Sequence, residues 1–111
     1  MNQARSSLRF PFAADAEIAP ENSPRATISA RVRELSLSGC YLNTPAPFDA
    51  DTPVLVKIFT TTEYFEAKAT VIYVNPNLGM GLAFRDVKPN FVGILRRWLL
   101  LAMQNKPNDP T

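Results

Sequence analysis

The sequence of 111 residues contains no histidine and a single cysteine, and each shortage excludes a class of chemistry. Without histidine the chain cannot build a Ser-His-Asp or Cys-His catalytic centre, and the usual zinc sites lose a principal ligand. Cys40 has no second cysteine with which to form an internal disulfide. Nothing therefore indicates an oxidising compartment, and we expect a cytoplasmic location.

Long hydrophobic runs and a large net charge are also missing. Residues 1–10 lack the apolar core of a signal peptide, and the apolar cluster at 98–103 is far too short to span a bilayer. The formal net charge of +2 is too small to indicate a general DNA- or membrane-binding surface, so we expect neither partner. Arginine outnumbers lysine eight to four. This bias suits phosphate or nucleotide recognition, although solvated surface charge is the commoner explanation.

The sequence shows no constellation of catalytic side chains. Its acidic residues are scattered, no nucleophile lies beside a base, and no glycine-rich loop leads into a helix to bind phosphate. We therefore expect that the chain is not an enzyme, that it needs no cofactor and that it holds no metal.

What the sequence does contain is a series of short strands separated by turns. Ile28, Ala30 and Val32 alternate with polar residues, the period of two that is typical of a half-buried strand. The alternation from Phe65 to Tyr73 predicts that both rings, like that of Phe84, belong to the core, which argues against base stacking by exposed aromatic side chains. The predicted strands cover residues 13–19, 26–35, 39–42, 54–60, 65–74 and 79–84.

Residues 88–104 are predicted to form a helix, because apolar side chains recur at three- and four-residue spacing and Pro89 suits the first turn. Six strands and a terminal helix predict a mainly β fold, a barrel or a sandwich, in one domain. The run Leu99-Leu100-Leu101 makes the helix apolar beyond one face, which suits burial in a homodimer or against another protein. The predicted parts are an N-terminal segment 1–12, a β region 13–86, the helix 88–104 and a flexible tail 105–111.

Three motifs follow one another along the chain. Arg5-Ser6-Ser7-Leu8-Arg9 places two arginines four residues apart, Glu34-Leu35-Ser36-Leu37-Ser38-Gly39 follows, and Gly79-Met80-Gly81-Leu82-Ala83-Phe84 precedes the helix. In this order they resemble the PilZ domain family, whose motif is RxxxR followed by (D/N)xSxxG at the end of an early strand. The resemblance extends from Arg5 to about Trp98. It implies a six-stranded antiparallel β-barrel of split-barrel, Greek-key type with a C-terminal α-helix.

The resemblance implies that the ligand is the bacterial second messenger cyclic di-GMP, which carries phosphates and guanines. It assigns Arg5 and Arg9 to that ligand, since guanidinium groups make bidentate contacts to phosphate oxygens or to guanine O6 and N7. It also implies that Ser36 offers its hydroxyl, although a serine here equally suits local turn chemistry. Gly39 would permit a backbone geometry or a close approach that a Cβ would block.

Arg31 and Arg33 are candidates for additional ligand contacts because they directly precede the second motif. The arginine segment near the N-terminus is expected to be mobile when empty and to become ordered on binding. Ordering of this kind would alter contacts with a downstream protein partner and so transmit a signal.

Glu34 departs from the family pattern, which has Asp or Asn at this position. A glutamate keeps the acceptor charge but adds a methylene, so it suits either a guanine N1–H and N2–H₂ edge or an ion pair with an arginine. This departure keeps a second hypothesis open. The chain would then have the same fold without binding the nucleotide, and would act as a protein–protein adaptor, for example in motility or pilus machinery.

Overall fold

The computed structural model describes residues 8–104, which form six β-strands and one α-helix. A short 3₁₀ turn, Pro24–Ala26, separates the first two strands. The strands are β1 (Phe10–Pro20), β2 (Ile28–Leu35), β3 (Gly39–Asn43), β4 (Pro53–Phe59), β5 (Tyr64–Asn75) and β6 (Gly79–Asp86), and the helix is α1 (Pro89–Gln104).

The strands close into a barrel in the order β1-β2-β3-β6-β5-β4, with antiparallel pairing throughout. The predicted six-stranded antiparallel barrel with a C-terminal helix is thereby confirmed. Because β6 pairs with both β3 and β5, the strand that follows the second motif lies beside the glycine-containing strand. The topology therefore brings two of the three sequence motifs together on one wall of the barrel.

Alternation along the strands turns one set of side chains into the barrel. In β4, Val54 and Val56 are fully buried, whereas Leu55 between them is 38% exposed. Apolar burial of this kind is the main stabilising contribution to folding. The other strands bury Ala16, Ile18, Val32, Leu35, Leu42, Phe65, Ala69, Val71, Met80 and Leu82 in the same core.

Strand β1 begins three residues before the predicted position, so part of the segment 1–12 belongs to the barrel. Phe10 pairs with Leu35 of β2 and packs partly buried against the core. The register of this pair shifts between Pro11 and Ala14. An irregularity of this kind is where a proline, which has no N–H to donate, is tolerated in a strand.

Tyr73 does not join the core, and the prediction that it does was wrong. The register between β5 and β6 shifts between Val71 and Tyr73, so that Ile72 is an extra residue. One extra residue reverses the side to which the following side chains point. Tyr73 is consequently 37% exposed, whereas Phe65 and Phe84 meet inside with ring centroids 5.2 Å apart.

The helix α1 packs against β1 and β5 and buries Leu95, Trp98 and Leu99. The Trp98 ring stacks on Phe12 of β1 with centroids 5.3 Å apart, and its Nε1 donates a hydrogen bond of 2.9 Å to Glu63 Oε1. The other carboxylate oxygen of Glu63 pairs with Arg97. The turn before β5 thus fixes the helix to the barrel. Within residues 8–104, no helix is both long enough and apolar enough to cross a membrane.

Candidate functional site

A groove of about 640 Å³ lies on the outside of the barrel, where the end of the N-terminal segment meets the loop between β2 and β3. Strands β3, β5 and β6 supply its remaining walls. The groove is lined by Leu8, Arg9, Glu34, Leu35, Ser36, Ser38, Gly39, Cys40, Tyr41, Ile72, Tyr73, Gly81, Leu82 and Ala83. Residues from all three sequence motifs therefore meet in one place.

The structure brings together four of the five principal predicted site residues, namely Arg9, Glu34, Ser36 and Gly39. Arg5, the fifth, lies outside the described residues, as does the tail 105–111. Arg9 and Glu34 are 25 positions apart in the sequence. They become neighbours because β1 and β2 pair antiparallel, with Pro11 opposite Glu34.

Arg9 and Glu34 form an ion pair, with 3.4 Å between Arg9 Nη1 and Glu34 Oε1. The pair is largely hydrated, since the two side chains are 59% and 44% exposed. A long, exposed ion pair contributes little free energy, about 0.5 kcal/mol. Glu34 therefore holds the guanidinium only weakly, and a phosphate can displace its carboxylate.

Ser36 holds the loop between β2 and β3 in shape. Its buried Oγ accepts hydrogen bonds from the backbone N–H groups of Ser38, at 3.2 Å, and Gly39, at 3.1 Å. The Ser36 N–H donates to the Gly39 carbonyl at 2.9 Å. This arrangement matches the turn chemistry that was the alternative interpretation of this serine. The Ser38 hydroxyl, 3.3 Å from Ser36 Oγ, is the one that reaches solvent in the groove.

Gly39 is required by the close approach of β3 to β6. A Cβ at this position would lie 2.0 Å from the backbone carbonyl oxygen of Leu82, and that backbone cannot move aside within a paired strand. A positive φ is not the reason, because none of the glycines between residues 8 and 104 has one. Gly39 therefore allows β3 to pair closely with β6 in the part of the barrel wall that lines the groove.

Arg31 and Arg33 are not among the residues that line the groove. Arg31 Nη1 donates to Asp15 Oδ1 at 2.6 Å, on the neighbouring strand β1. Arg33 is exposed at the point where the register of β2 with β3 shifts, between Val32 and Glu34. Their role as additional ligand contacts stays a prediction.

Tyr41 and Tyr73 are groove residues that sequence reasoning missed. Their rings are stacked side by side on the outer wall, with centroids 6.0 Å apart and planes 24° apart. The Asn75 amide donates a 2.9 Å hydrogen bond to the Tyr41 hydroxyl and fixes that ring. The sequence feature that could have indicated these tyrosines is the pair of glycines in β6, because glycines leave space on the strand between the two rings.

In the part of the chain that the structure describes, the groove offers binding groups rather than an activated nucleophile. Its accessible groups are a guanidinium, a carboxylate, a hydroxyl and two phenol rings. Cys40 also contributes to the wall, but burial raises the pKa of its thiol to about 12. The thiolate that nucleophilic chemistry needs is therefore not formed near neutral pH.

A second groove, of about 550 Å³, adjoins the first and is mainly apolar. Leu8 lines both grooves, and Arg96 is the charged residue of the second one. Leu37, Leu100 and Met103 in its walls are 52%, 56% and 48% exposed. The remaining walls are formed by Phe10 and Leu99.

Comparisons with family models and with solved structures agree on the same kind of domain. A family model of the PilZ domain matches residues 3–101. No curated protein matches the chain significantly. The fold is similar to that of the inhibitor of motility MotI/DgrA of Bacillus subtilis, with a TM-score of 0.76 and 19% identity over 96% of this chain. The chain spans 55% of the length of that protein.

Two isolated domains are similar over almost their whole length. The PilZ domain of YcgR from Escherichia coli, solved with c-di-GMP, has a TM-score of 0.76 and 15% identity, over 93% of this chain and 94% of that one. The PilZ domain of CeSA from a cellulose synthesizing bacterium has a TM-score of 0.65 and 19% identity, over 89% and 98% respectively. At these identities the similarity establishes a shared fold.

Proposed function

We propose, since this chain belongs to the PilZ domain family, that it binds cyclic di-GMP in the groove beside Arg9 and signals by changing its contacts with another protein. The family is one of cyclic di-GMP receptors, and its members are receptor or adaptor domains rather than enzymes. The observation that carries the proposal is the meeting of Arg9 with the loop 34–39 in one accessible groove.

Arg9 is the anchor for the anionic part of the ligand. Its guanidinium is 59% exposed, and its partner among residues 8–104, Glu34, holds it weakly, so a phosphate can replace that carboxylate. Charge-assisted hydrogen bonds to a phosphate are about twice as strong as neutral ones. Arg5, from the same motif, is proposed to supply a second guanidinium.

Glu34 and the loop that follows are proposed to recognise a guanine. Once Arg9 turns to phosphate, the Glu34 carboxylate is free to accept from the adjacent N1–H and N2–H₂ donors of that base. The Ser38 hydroxyl offers a further polar contact, while Ser36 keeps its local role of holding the loop. Arg5, Arg9 and Glu34 are thus proposed to contact the ligand, whereas Ser36 and Gly39 support the loop and the strand that follows it.

Leu8 provides a route from the ligand to a protein partner. It lies between the two arginines of the first motif, is 71% exposed and lines both grooves. A ligand that fixes the leading segment against the barrel also repositions Leu8, and so changes the apolar groove beside α1. We propose that this groove receives the downstream partner, which can include a second copy of the chain through Leu100 and Met103.

Calorimetric titration with cyclic di-GMP tests the receptor function, and mass measurement in solution with and without ligand tests the change in assembly. Heat that saturates at micromolar ligand supports the proposal. Absence of heat at tens of micromolar ligand would remove it.

The second candidate function is that of an adaptor that does not bind the nucleotide. The ion pair between Glu34 and Arg9 favours it, because each group already has a partner within the chain. One structural neighbour is an inhibitor of motility, so a component of motility machinery is a reasonable class of partner. The same titration separates the two candidates. The predicted cytoplasmic location stays a prediction under either.

A further inference from the structure

The outer wall of the barrel carries two tyrosines where two strands present aromatic side chains to the same groove. Tyr41 extends from β3 and Tyr73 from β5, on either side of β6. In the strand register both are partners of Gly81, which lies between them. The irregularity at Ile72 is what turns Tyr73 outward. Without that extra residue, alternation would place the ring inside the barrel.

The two glycines of β6 make room for these rings. A Cβ on Gly81 would lie 2.4 Å from Cε2 and 2.6 Å from Cζ of Tyr73. A Cβ on Gly79 would lie 2.6 Å from the hydroxyl oxygen of Tyr41 and 2.9 Å from its Cζ. The Tyr73 ring and the hydroxyl end of Tyr41 therefore occupy space over the strand that is available because both positions lack a side chain.

We propose that Tyr41 and Tyr73 form a stacking platform for a guanine base of the ligand, an inference that rests on the proposed function. The rings are neighbours in space with centroids 6.0 Å apart, and the Asn75 amide holds the Tyr41 hydroxyl at 2.9 Å. Tyr73 keeps 37% of its surface exposed in the groove. A flat, pre-ordered aromatic surface binds the π-face of a base with little loss of side-chain entropy.

The platform also explains how the groove would select guanine. Glu34 and Tyr41 are directly paired residues of β2 and β3. Paired residues share a face of the sheet and have Cβ atoms about 5 Å apart. A base on the Tyr41 ring therefore has its edge beside the Glu34 carboxylate, whose two acceptors match the N1–H and N2–H₂ donors of guanine. Adenine lacks that pair of donors, so cyclic di-AMP should bind more weakly.

The test compares two substitutions of Tyr73 by calorimetric titration with cyclic di-GMP. Tyr73→Leu keeps apolar cover over Gly81 but removes the ring, and it should weaken affinity roughly ten- to hundredfold. Tyr73→Phe keeps the ring and should stay within about twofold of the parent, since stacking does not need the hydroxyl. Tyr64→Leu is the matched control, because Tyr64 lies on the same strand, is 46% exposed and does not line the groove.

Gly81→Ala gives a second route to the same platform. The three nearest atoms to the added Cβ all belong to the Tyr73 side chain, so the ring can swing away without moving the backbone. We expect a folded variant with a loss of affinity similar to that of Tyr73→Leu. Circular dichroism and thermal unfolding confirm that each variant is folded before its affinity is compared.

The possible results separate the two proposals. If the parent chain does not bind cyclic di-GMP, the receptor function and the platform both fall. If the parent binds and Tyr73→Leu binds equally well, the platform is overturned while the receptor function stands. An equal loss for Tyr73→Phe and Tyr73→Leu would also overturn stacking, because it would assign the effect to the hydroxyl.

Discussion

Replacing Arg9 with alanine separates the ligand-binding role of this side chain from its structural role. The side chain makes a long ion pair, 3.4 Å to Glu34, with 59% of its surface exposed. Such a pair is worth about 0.5 kcal/mol, so thermal unfolding should shift by only about 2–4 °C. The structure therefore predicts that Arg9→Ala folds almost as well as the parent.

The effect on binding should be much larger. A hydrogen bond between a guanidinium and a phosphate contributes about 1.5–3 kcal/mol, and its loss corresponds to roughly a ten- to hundredfold weaker affinity for cyclic di-GMP. The assay is calorimetric titration of the two purified chains at the same ionic strength, because charge contacts weaken with salt.

Arg97→Ala is the matched control for this experiment. Arg97 is 54% exposed and is also held in an ion pair, with Glu63, but it does not line the groove. We expect it to bind within about twofold of the parent, since distant exposed charges are largely screened. A folded Arg9→Ala chain with unaltered affinity would refute the assignment of Arg9. An equal loss in both variants would mean that general positive charge, and not the groove, attracts the ligand.

Three further predictions concern the loop, the helix and the core. Glu34→Asp should bind cyclic di-GMP at least as tightly as the parent by calorimetry, because it restores the family residue; a large loss would give the longer side chain a dedicated role. Glu63→Ala should lower the free energy of unfolding in urea by about 2 kcal/mol, because Trp98 Nε1 loses its acceptor in a ring that is 2% exposed, whereas Glu63→Gln should cost less. Burial raises the pKa of Cys40 from 9.0 to about 12, so its contribution to stability is complete below pH 9 and declines from pH 9 towards 12. Cys40→Ala should unfold with a shallower pH dependence across that window, and an unchanged slope would contradict the assignment.

Much of the fold follows from local patterns in the sequence. The period of two in β2, β4 and most of β5 places the correct side chains inside, because each of these strands has one face in the core and one in solvent. The three- and four-residue spacing in α1 likewise predicts an apolar stripe that contains the buried Leu95, Trp98 and Leu99, although Met103 at the end of the same stripe is 48% exposed. The choice of a closed barrel came from the resemblance to a family, since alternation alone allows a barrel or a sandwich.

The site was predicted in part, and the shortfall has a physical cause. Arg9 and Glu34 could be found because the motif marks them, but their ion pair depends on the pairing of β1 with β2. Tyr73 was misplaced because a single extra residue in β5 reverses the alternation, and nothing in the local sequence marks that insertion. Ser36 and Gly39 line the groove, yet their contacts support the loop and the neighbouring strand. The Gly39 contact with Leu82 is tertiary and leaves no periodic signal, whereas the Ser36 contacts are local and match the turn chemistry that the sequence already suggested.

The ring of strands has a mechanical consequence for any signal that the domain sends. Each of the six strands is hydrogen bonded to a neighbour on both sides, so bending one of them would break bonds along two seams at once. The outer wall is therefore stiff, and a ligand that binds to it should not deform it. Under the proposed function, the change that carries the signal is therefore expected at the chain entering β1 and at α1. A protein joined to the chain before β1 or to α1 would then change its orientation when the ligand binds.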